Sequence, residues 1–530
     1  MFEVIFSVAV VVRFAPSPTG YIHVGNARAA LITWLFARSH KGYMLLRVDD
    51  LDPTRSEERY TEQIMTDLSW LGIDWDYKFT QTSRRNRYQE VVQMLYEGGF
   101  LYKCYETKDE LQAKKEKSLI EKKPPIYDRE SLHLTDEQRR KFEAEGRKGY
   151  FRFKIPNDIE ITWMDEIKGA ISVPSNSLSD PIIMTSDHHP LYNFASVVDD
   201  YDYGVTHIIR GEDHLTNTAS QILLFKALGA VERGEEESIT DDVMLKNRKF
   251  CLLKQQSDNL AKFKEIDSKY KPQEDFQSFN DRKKIRDIPI FAHLSLFYGH
   301  DAEISKRLGG FDIKGLREDG IHPMAINSFL AKINTSMTID VSNSLNELIN
   351  DFGIECYNKS NVCYDKSNLI SLNAALFRNM SNSIFIRAFR EYHDVCVKNN
   401  IEKSIQGHSL VEKAEGDNDM FWRIVREEVS TFSDVYEWLI ALYGNIESRF
   451  CMSKEFADKA LTLIQKYDFF DEEKAKMFMH ELKDAIGLDK VKFFKVFRKT
   501  LIGREVGPEV WKILTALGRE RVQRKLEFVE

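Results

Sequence analysis

VAVVVRFAPSPTGYIHVGNARAALITWLFA, residues Val8–Ala37, reads as a buried strand, a stiffened loop and a helix in succession. The valine-rich run Val8–Val12 is apolar on both faces, as a central parallel strand requires. Pro16 and Pro18 fix the turn, and Gly20 accepts backbone angles that other residues resist. The helix that follows has His23, Gly25 and Asn26 in its first turn, where free N–H groups and a partial positive charge suit a phosphate. Gly25 leaves room for a nucleotide against the backbone, and His23 and Asn26 can donate hydrogen bonds to it. The loop matches neither G-x-G-x-x-G nor G-x-x-x-x-G-K-[ST], the two common nucleotide motifs. Taken alone, His23 is an ordinary surface histidine.

A second segment gives it weight. In HLSLFYGHDAEISKRLGG, His293–Gly310, the span His293–Tyr298 suits another sheet strand, turned by Gly299 and His300. Ser305, Lys306 and Arg307 then lie on a polar loop ahead of Gly309 and Gly310. Such a loop can close two cations over a triphosphate and stabilise charge as it develops.

Composition bounds the answer without deciding it. A chain of 530 residues predicts three or more domains. Its 42% hydrophobic and 30% charged content fits a globular protein. Met1–Val12 lacks a basic leader and a small-residue cleavage pattern, so it reads as a strand and not a signal peptide. No apolar run is long enough to span a membrane, and six scattered cysteines form no disulfide framework, so a cytoplasmic location is expected. A net charge of −8 does not exclude nucleic acid, which needs only a local basic surface.

The paired segments resemble the signature segments of class I aminoacyl-tRNA synthetases. RFAPSPTGYIHVGN, Arg13–Asn26, is similar to the "HIGH" region of the bacterial-type glutamyl-tRNA synthetase family, and ISKRL, Ile304–Leu308, to its "KMSKS" loop. RVDDLDPTRS (Arg47–Ser56), YDRESL (Tyr127–Leu132) and LYNFASVVDDYDYGVTHIIRGEDHLTNTASQ (Leu191–Gln221) match between them. The likeness covers most of residues 8–230 and 289–330 and is diffuse beyond, where LIGREVGPEVW, Leu501–Trp511, resembles an anticodon-domain segment. One such segment would carry little weight; five in order carry much.

The resemblance implies a multidomain α/β plus all-α fold. A Rossmann-like catalytic domain would occupy 1–98 and 181–315, split by an inserted tRNA acceptor-binding domain at 99–180. Asp180-Pro181 would return the chain to the sheet. A helical stem-contact domain would follow at 316–400 and a helical anticodon-binding domain at 401–530, where apolar-face helices recur. The polar stretch 231–288 is nearly sixty residues where family members spend a few, and reads as a surface insertion.

Roles carry over residue by residue. Arg13 and Arg210 would bind the carboxylates of L-glutamate in bidentate forks, with Ala15 and Ser17 completing the contact. Asp49, Tyr192 and Ser196 would receive its ammonium group; many relatives have glutamate and asparagine where this chain has Asp49 and Ser196. ATP, carrying Mg²⁺, would meet His23, Gly25, Asn26, Glu212, His214, Ser305 and Lys306, with His23, Lys306 and Arg307 catalytic. Asp52, Asp213, Lys495 and Arg504 would meet tRNA. No protein-bound metal is expected, and no zinc, since Cys104 has no second cysteine nearby. The implied activity is glutamate–tRNA ligation on tRNA(Glu), with tRNA(Gln) left open, by a monomer without membrane partners. A glutaminyl enzyme is the rival, but its loop carries PEPNG where this chain has PSPTG at Pro16–Gly20, and its C-terminal domains are β-barrels. An inactive tRNA-binding regulatory paralogue is the second alternative.

Overall fold

The computed structural model describes residues 9–233, 288–298, 312–401, 409–411, 414, 419–444, 452–467 and 471–527. They fall into two compact units, the first drawn from Met1–Ser305, Leu330–Thr338 and Ser344–Tyr364, the second from Lys306–Phe329, Ile339–Asn343 and Asp365–Glu530.

The first unit is built on a seven-stranded sheet. Its strands are β1 (Val11–Phe14), β2 (Tyr43–Val48), β3 (Tyr77–Thr80), β6 (Glu160–Asp165), β7 (Gly169–Pro174), β9 (His207–Gly211) and β10 (Ile290–Leu294). They run in the order β3-β2-β1-β9-β10-β6-β7, all parallel except the β6–β7 hairpin. The reversal of order lies between β1 and β9, and open sheets of this kind bind ligands at the carboxyl ends of the strands there. Helices α1 (Val24–Ser39), α2 (Glu58–Trp70) and α3 (Arg85–Glu97) connect and cover the first three strands. Gly72 and Gly99, at φ +77° and +74°, end α2 and α3 in the left-handed conformation that favours glycine.

Between residues 101 and 184 the chain forms a second sheet from β4 (Leu101–Cys104), β5 (Tyr150–Phe153) and β8 (Ile182–Met184), in antiparallel order β4-β5-β8. The lysine-rich helix α4 (Lys108–Ile120) starts at a Thr107–Glu110 capping box, and α5 (Asp136–Ala144) starts at a matching Thr135–Gln138 box. The sequence reading needs correction here. The chain regains the main sheet at β6, where Asp165 pairs with Phe291, and not at Asp180-Pro181, which leads into β8 of the small sheet. Asp180 instead holds that small sheet, accepting from Tyr102 Oη at 2.7 Å and Arg129 Nη2 at 2.7 Å. The strand expected at Val8–Val12 is shifted to Val11–Phe14, which places Arg13 inside it. Of the 231–288 insertion, residues 234–287 lie outside the described residues.

Helices α6 (Tyr192–Asp202) and α7 (Leu215–Glu232) flank β9. From α6 hangs a buried charge network. Arg47, fully buried on β2, donates to Asp49 Oδ1 at 2.6 Å, Asp200 Oδ1 at 2.9 Å and Ser196 Oγ at 3.1 Å. Asp200 also accepts from Arg13 Nε at 3.1 Å. Asp199 takes Arg84 Nε at 2.6 Å and Tyr88 Oη at 2.9 Å. These bonds satisfy charges that burial would otherwise make costly.

The second unit is helical among its described residues. Expected apolar-face helices are found at Asp419–Glu428, Phe432–Tyr443, Lys454–Ile464, Glu472–Ile486 and Val510–Glu527, the last breaking at Gly518. Lys366–Asn379 and Asn382–Lys398 are separate helices, because Ser381 caps the second. One apolar core runs from Phe377 to Leu526, with Phe385, Phe389, Trp422 and Tyr436 at its centre, and is continuous across residue 400.

Replacing Arg47 leaves Asp49 and Asp200 buried with fewer compensating charges. Arg47→Met should therefore destabilise the first unit by about 3–5 kcal/mol, read as a lowered urea midpoint. Tyr88→Phe, which removes one hydroxyl from Asp199, should cost about 1–3 kcal/mol. Equal midpoints for R47M and the parent would contradict this account of the network.

Candidate active site at the sheet switch point

Arg13 on β1 and Arg210 on β9 flank the switch point, 4% and 6% exposed. Arg13 commits only its Nε, to Asp200; its two terminal nitrogens make no hydrogen bond among the described residues. Arg210 has no carboxylate partner among the described residues. Its Nε donates to His293 Nε2 at 3.3 Å, and its Nη2 donates to Thr218 Oγ1 at 2.6 Å and Gln221 Oε1 at 2.8 Å. Its Nη1 is buried without a partner. Burial pushes the Arg210 guanidinium below its ordinary pKa, opposed by the nearby Tyr192 phenol. A cation held in this way by neutral groups suits an anionic ligand.

Asp49 and Ser196 come together beside this pair, but through a residue the sequence reading passed over. Arg47 grips both, taking Asp49 in a fork with Nη2 to Oδ2 at 3.2 Å. Burial pushes the Asp49 carboxyl up to about 6, against the pull of Arg47. Tyr192 opens α6 and stands beside His214, with ring centroids 5.4 Å apart. Ala15 and Ser17 lie on the loop after β1, and Asp49 N–H donates to Pro16 O at 3.0 Å, which ties that loop to the end of β2. Asp49, Asp50 and Asp52 do not converge. Asp50 accepts from Thr82 N at 2.8 Å and Asp52 from Thr54 Oγ1 at 2.7 Å, each apart from the Arg47 fork.

Of the residues expected to meet the nucleotide, His23, Gly25 and Asn26 lie at the start of α1, and Glu212 and His214 on the turn after β9. His23 is the N-cap, and its Nδ1 accepts from Gly25 N at 3.1 Å and Asn26 N at 3.3 Å. Two of the amides expected to be free are thus capped by the histidine itself. With Nδ1 as acceptor, the neutral ring carries its proton on Nε2. A Cβ at Gly25 would meet His23 Cε1 at 3.0 Å, so glycine is what admits the folded-back ring. Phe297 stands on the other side of Gly25, 4.0 Å from that Cβ position. Glu212 is engaged: it pairs with Lys168 and accepts from Leu296 N at 3.2 Å. Asn217 Nδ2 lies 3.3 Å from His214 Nδ1. Burial pushes the His214 pKa down, as does Arg210. Ser305, Lys306 and Arg307 lie outside the described residues.

Of the residues expected to meet tRNA, Asp52 and Asp213 are exposed in the first unit. In the second, Lys495 lines a groove of about 450 Å³ with Lys492, Lys499, Asp489 and Glu505. Arg504 is engaged with Glu437 at 2.7 Å and stacks its guanidinium 5.1 Å over Trp438. Arg498 clamps the chain at Glu505 O and Pro508 O. The basic run thus combines groove-lining lysines, of which Lys499 pairs with Glu505 at 3.1 Å, with arginines engaged by neighbouring protein groups. In the small sheet, Cys104 is fully buried with Tyr102 and Tyr150, and burial pushes its thiol up to about 11.

The sequence reading missed Arg47, Asp200, Asp165 and His293. The one signal was the acidic set Asp199, Asp200 and Asp202 on an otherwise apolar helix, which implies buried cations nearby.

A family model described as the catalytic domain of class I tRNA synthetases (E and Q) matches residues 9–282, and one for an anticodon-binding domain matches 399–529. Glutamate–tRNA ligase 2 of Ehrlichia canis (strain Jake) is 36% identical over 98% of this chain and 99% of its own length. Glutamate–tRNA ligase 1 of Wolbachia pipientis subsp. Culex pipiens (strain wPip) is 34% identical over 97% of each chain. The crystal structure of glutamate–tRNA synthetase from Elizabethkingia anophelis superposes with a TM-score of 0.73 at 25% identity, covering 98% of this chain and 100% of that one. From switch point to C-terminal helices, the chain belongs to the class I tRNA synthetases of the E and Q type, the family of the glutamate–tRNA ligases.

Proposed function

We propose that this chain is a glutamate–tRNA ligase, joining L-glutamate to the 3′ end of tRNA(Glu) at the expense of ATP. One observation carries the choice of amino acid. Arg210 is buried without a carboxylate partner among the described residues, its Nη1 is buried without a hydrogen-bond partner, and Arg13 stands across the switch point on β1. Glutamate brings two carboxylates to two guanidinium groups. Glutamine brings one, and its neutral amide leaves the second cation uncompensated.

In this reading Arg13 and Arg210 hold the carboxylates, while Asp49, Tyr192 and Ser196 receive the ammonium group, with Ala15 and Ser17 alongside. The glutamate α-carboxylate attacks the α-phosphorus of ATP and pyrophosphate leaves. A terminal ribose hydroxyl of tRNA then attacks the carbonyl carbon, and AMP leaves. No side chain need act as general base in the first step, because the nucleophile is already ionised. The enzyme's task is to position the reactants and neutralise charge. His23, protonated on Nε2, donates from that nitrogen to phosphate. Gly25, Asn26, Glu212 and His214 border the nucleotide, and Ser305, Lys306 and Arg307 supply polar and cationic groups to its phosphates. Mg²⁺ arrives with ATP. The Cys104 thiol, buried and pushed up to about 11, supports an acceptor-binding insert without zinc, built on the β4-β5-β8 sheet. The domain division given above, with β6 and β7 returned to the catalytic sheet, a cytoplasmic monomer, the tRNA contacts of Asp52, Asp213, Lys495 and Arg504, and any charging of tRNA(Gln) belong to the same proposal.

Purified protein with ATP, Mg²⁺ and pooled tRNA should form glutamyl-tRNA and leave glutamine unused; preferential use of glutamine would overturn the assignment. His23→Asn should keep the helix cap and the unfolding midpoint yet lower the charging kcat at least about tenfold. His23→Ala should lose both, with about 1 kcal/mol for the cap.

The Asp49 carboxyl, raised to about 6, must ionise to accept the ammonium group. Glutamate affinity should therefore fall by up to about tenfold per unit as pH drops below 6. Asp49→Asn should weaken binding and flatten that limb. A parent affinity constant from pH 7 to 5 would remove Asp49 from the site.

The lysine groove generates a separate expectation. Replacing Lys492, Lys495 and Lys499 by glutamine should raise KM for tRNA and reduce the salt slope by about 1 per lost phosphate contact, while KM for glutamate holds. An unchanged slope would make the groove a solvated helix face.

A further inference from the structure

Behind Arg210 lies a buried chain of polar groups to which the reaction above assigns no role. Asp165 ends β6, and its Oδ1 accepts three backbone N–H groups: Ile167 at 3.0 Å, Lys168 at 2.8 Å and His293 at 3.1 Å. Its Oδ2 lies 2.5 Å from His293 Nδ1 on β10. Both side chains are wholly buried. On the far side of the ring, His293 Nε2 faces Arg210 Nε at 3.3 Å and Thr218 Oγ1 at 3.0 Å.

The hydrogen bonds define one tautomer. Arg210 Nε–H can only donate, so His293 Nε2 must accept. Nδ1 then carries the proton and donates it to Asp165. Burial opposes ionisation of Asp165, yet the hydrogen bonds from the His293 ring and from the Lys168 and His293 backbone hold its carboxyl below the ordinary range. Burial lowers the His293 pKa as well, which keeps the ring neutral beside the Arg210 cation. Gln221 and Thr218 fix Nη2 of the same guanidinium. With Nε and Nη2 both held, the plane of the fork is set and Nη1 is the nitrogen left for a ligand.

We infer that Asp165 and His293 are positioning residues for glutamate, a buried carboxylate–imidazole relay that fixes the plane of Arg210 and presents its Nη1 to the substrate carboxylate. The inference rests on the proposed glutamate site. The carboxylate sets the tautomer, the tautomer makes Nε2 an acceptor, and the acceptor holds the guanidinium without neutralising it. A carboxylate in place of His293 would pair with Arg210 and cancel the charge that selects an anionic substrate.

Asp165→Asn tests the relay with little change of shape. The asparagine oxygen can still accept the three backbone N–H groups, while its NH2 group points at His293 Nδ1 and drives the ring proton to Nε2. That N–H then opposes Arg210 Nε–H, and the fork loses its anchor. In charging assays on the full-length protein, D165N should raise KM for glutamate about tenfold or more with kcat changed little, KM for ATP unmoved and the unfolding midpoint retained. His293→Gln removes the choice of tautomer, so adding D165N to H293Q should raise KM for glutamate no further. If the parent enzyme charges tRNA with glutamate and D165N has the parent KM, the relay is wrong and the function stands. A D165N protein that loses kcat and both KM values together with its unfolding midpoint would show a merely structural role and overturn the inference. A parent protein that ignores glutamate would overturn the underlying function instead.

Discussion

Three arginines stand buried at the carboxyl ends of three adjacent parallel strands: Arg47 on β2, Arg13 on β1 and Arg210 on β9. A buried guanidinium is tolerable only when its charge is met, and the three are met differently. Arg47 is saturated by Asp49, Asp200 and Ser196. Arg13 shares Asp200 through Nε alone. Arg210 has neutral partners and one orphaned nitrogen. Positive charge thus goes progressively unmet from β2 across the switch point to β9, at the place where an open parallel sheet receives its ligand.

In the proposed function this gradient is the source of selectivity. Helix α6 supplies the carboxylates that fix Arg47 and Arg13, and it also begins at Tyr192 and carries Ser196. The element that anchors the strands therefore also carries residues of the proposed amino-acid site. At the proposed nucleotide side the same economy holds at His23, which caps α1 through Nδ1, so that the neutral ring carries its proton on Nε2. Gly25 has the smallest side chain because that ring lies over it.

Much of this was legible in the sequence because the signals are local. A valine run, two prolines and a glycine before an apolar helix give strand, loop and helix by short-range sterics alone. The C-terminal helices follow from apolar spacing, and Gly72 and Gly99 mark ends that need positive φ. What was not legible depends on partners far along the chain. RVDD does not say that Arg47 meets Asp200, 153 residues away. EITWMD alternates buried and exposed residues, as a strand of a small antiparallel sheet would, yet it is β6 of the main sheet, paired with β10 on one side and β7 on the other. His293 read as one more strand residue, because its meaning lies in Asp165 and Arg210 and in neither neighbour.

The central claim is that the unmet charge on Arg210 is met by substrate. A crystal structure of the protein soaked with L-glutamate tests it most directly. The account predicts one glutamate carboxylate about 3 Å from Arg210 Nη1 and the other against the terminal nitrogens of Arg13. Glutamate bound elsewhere, or Arg210 Nη1 paired with a protein carboxylate in the complex, would contradict it.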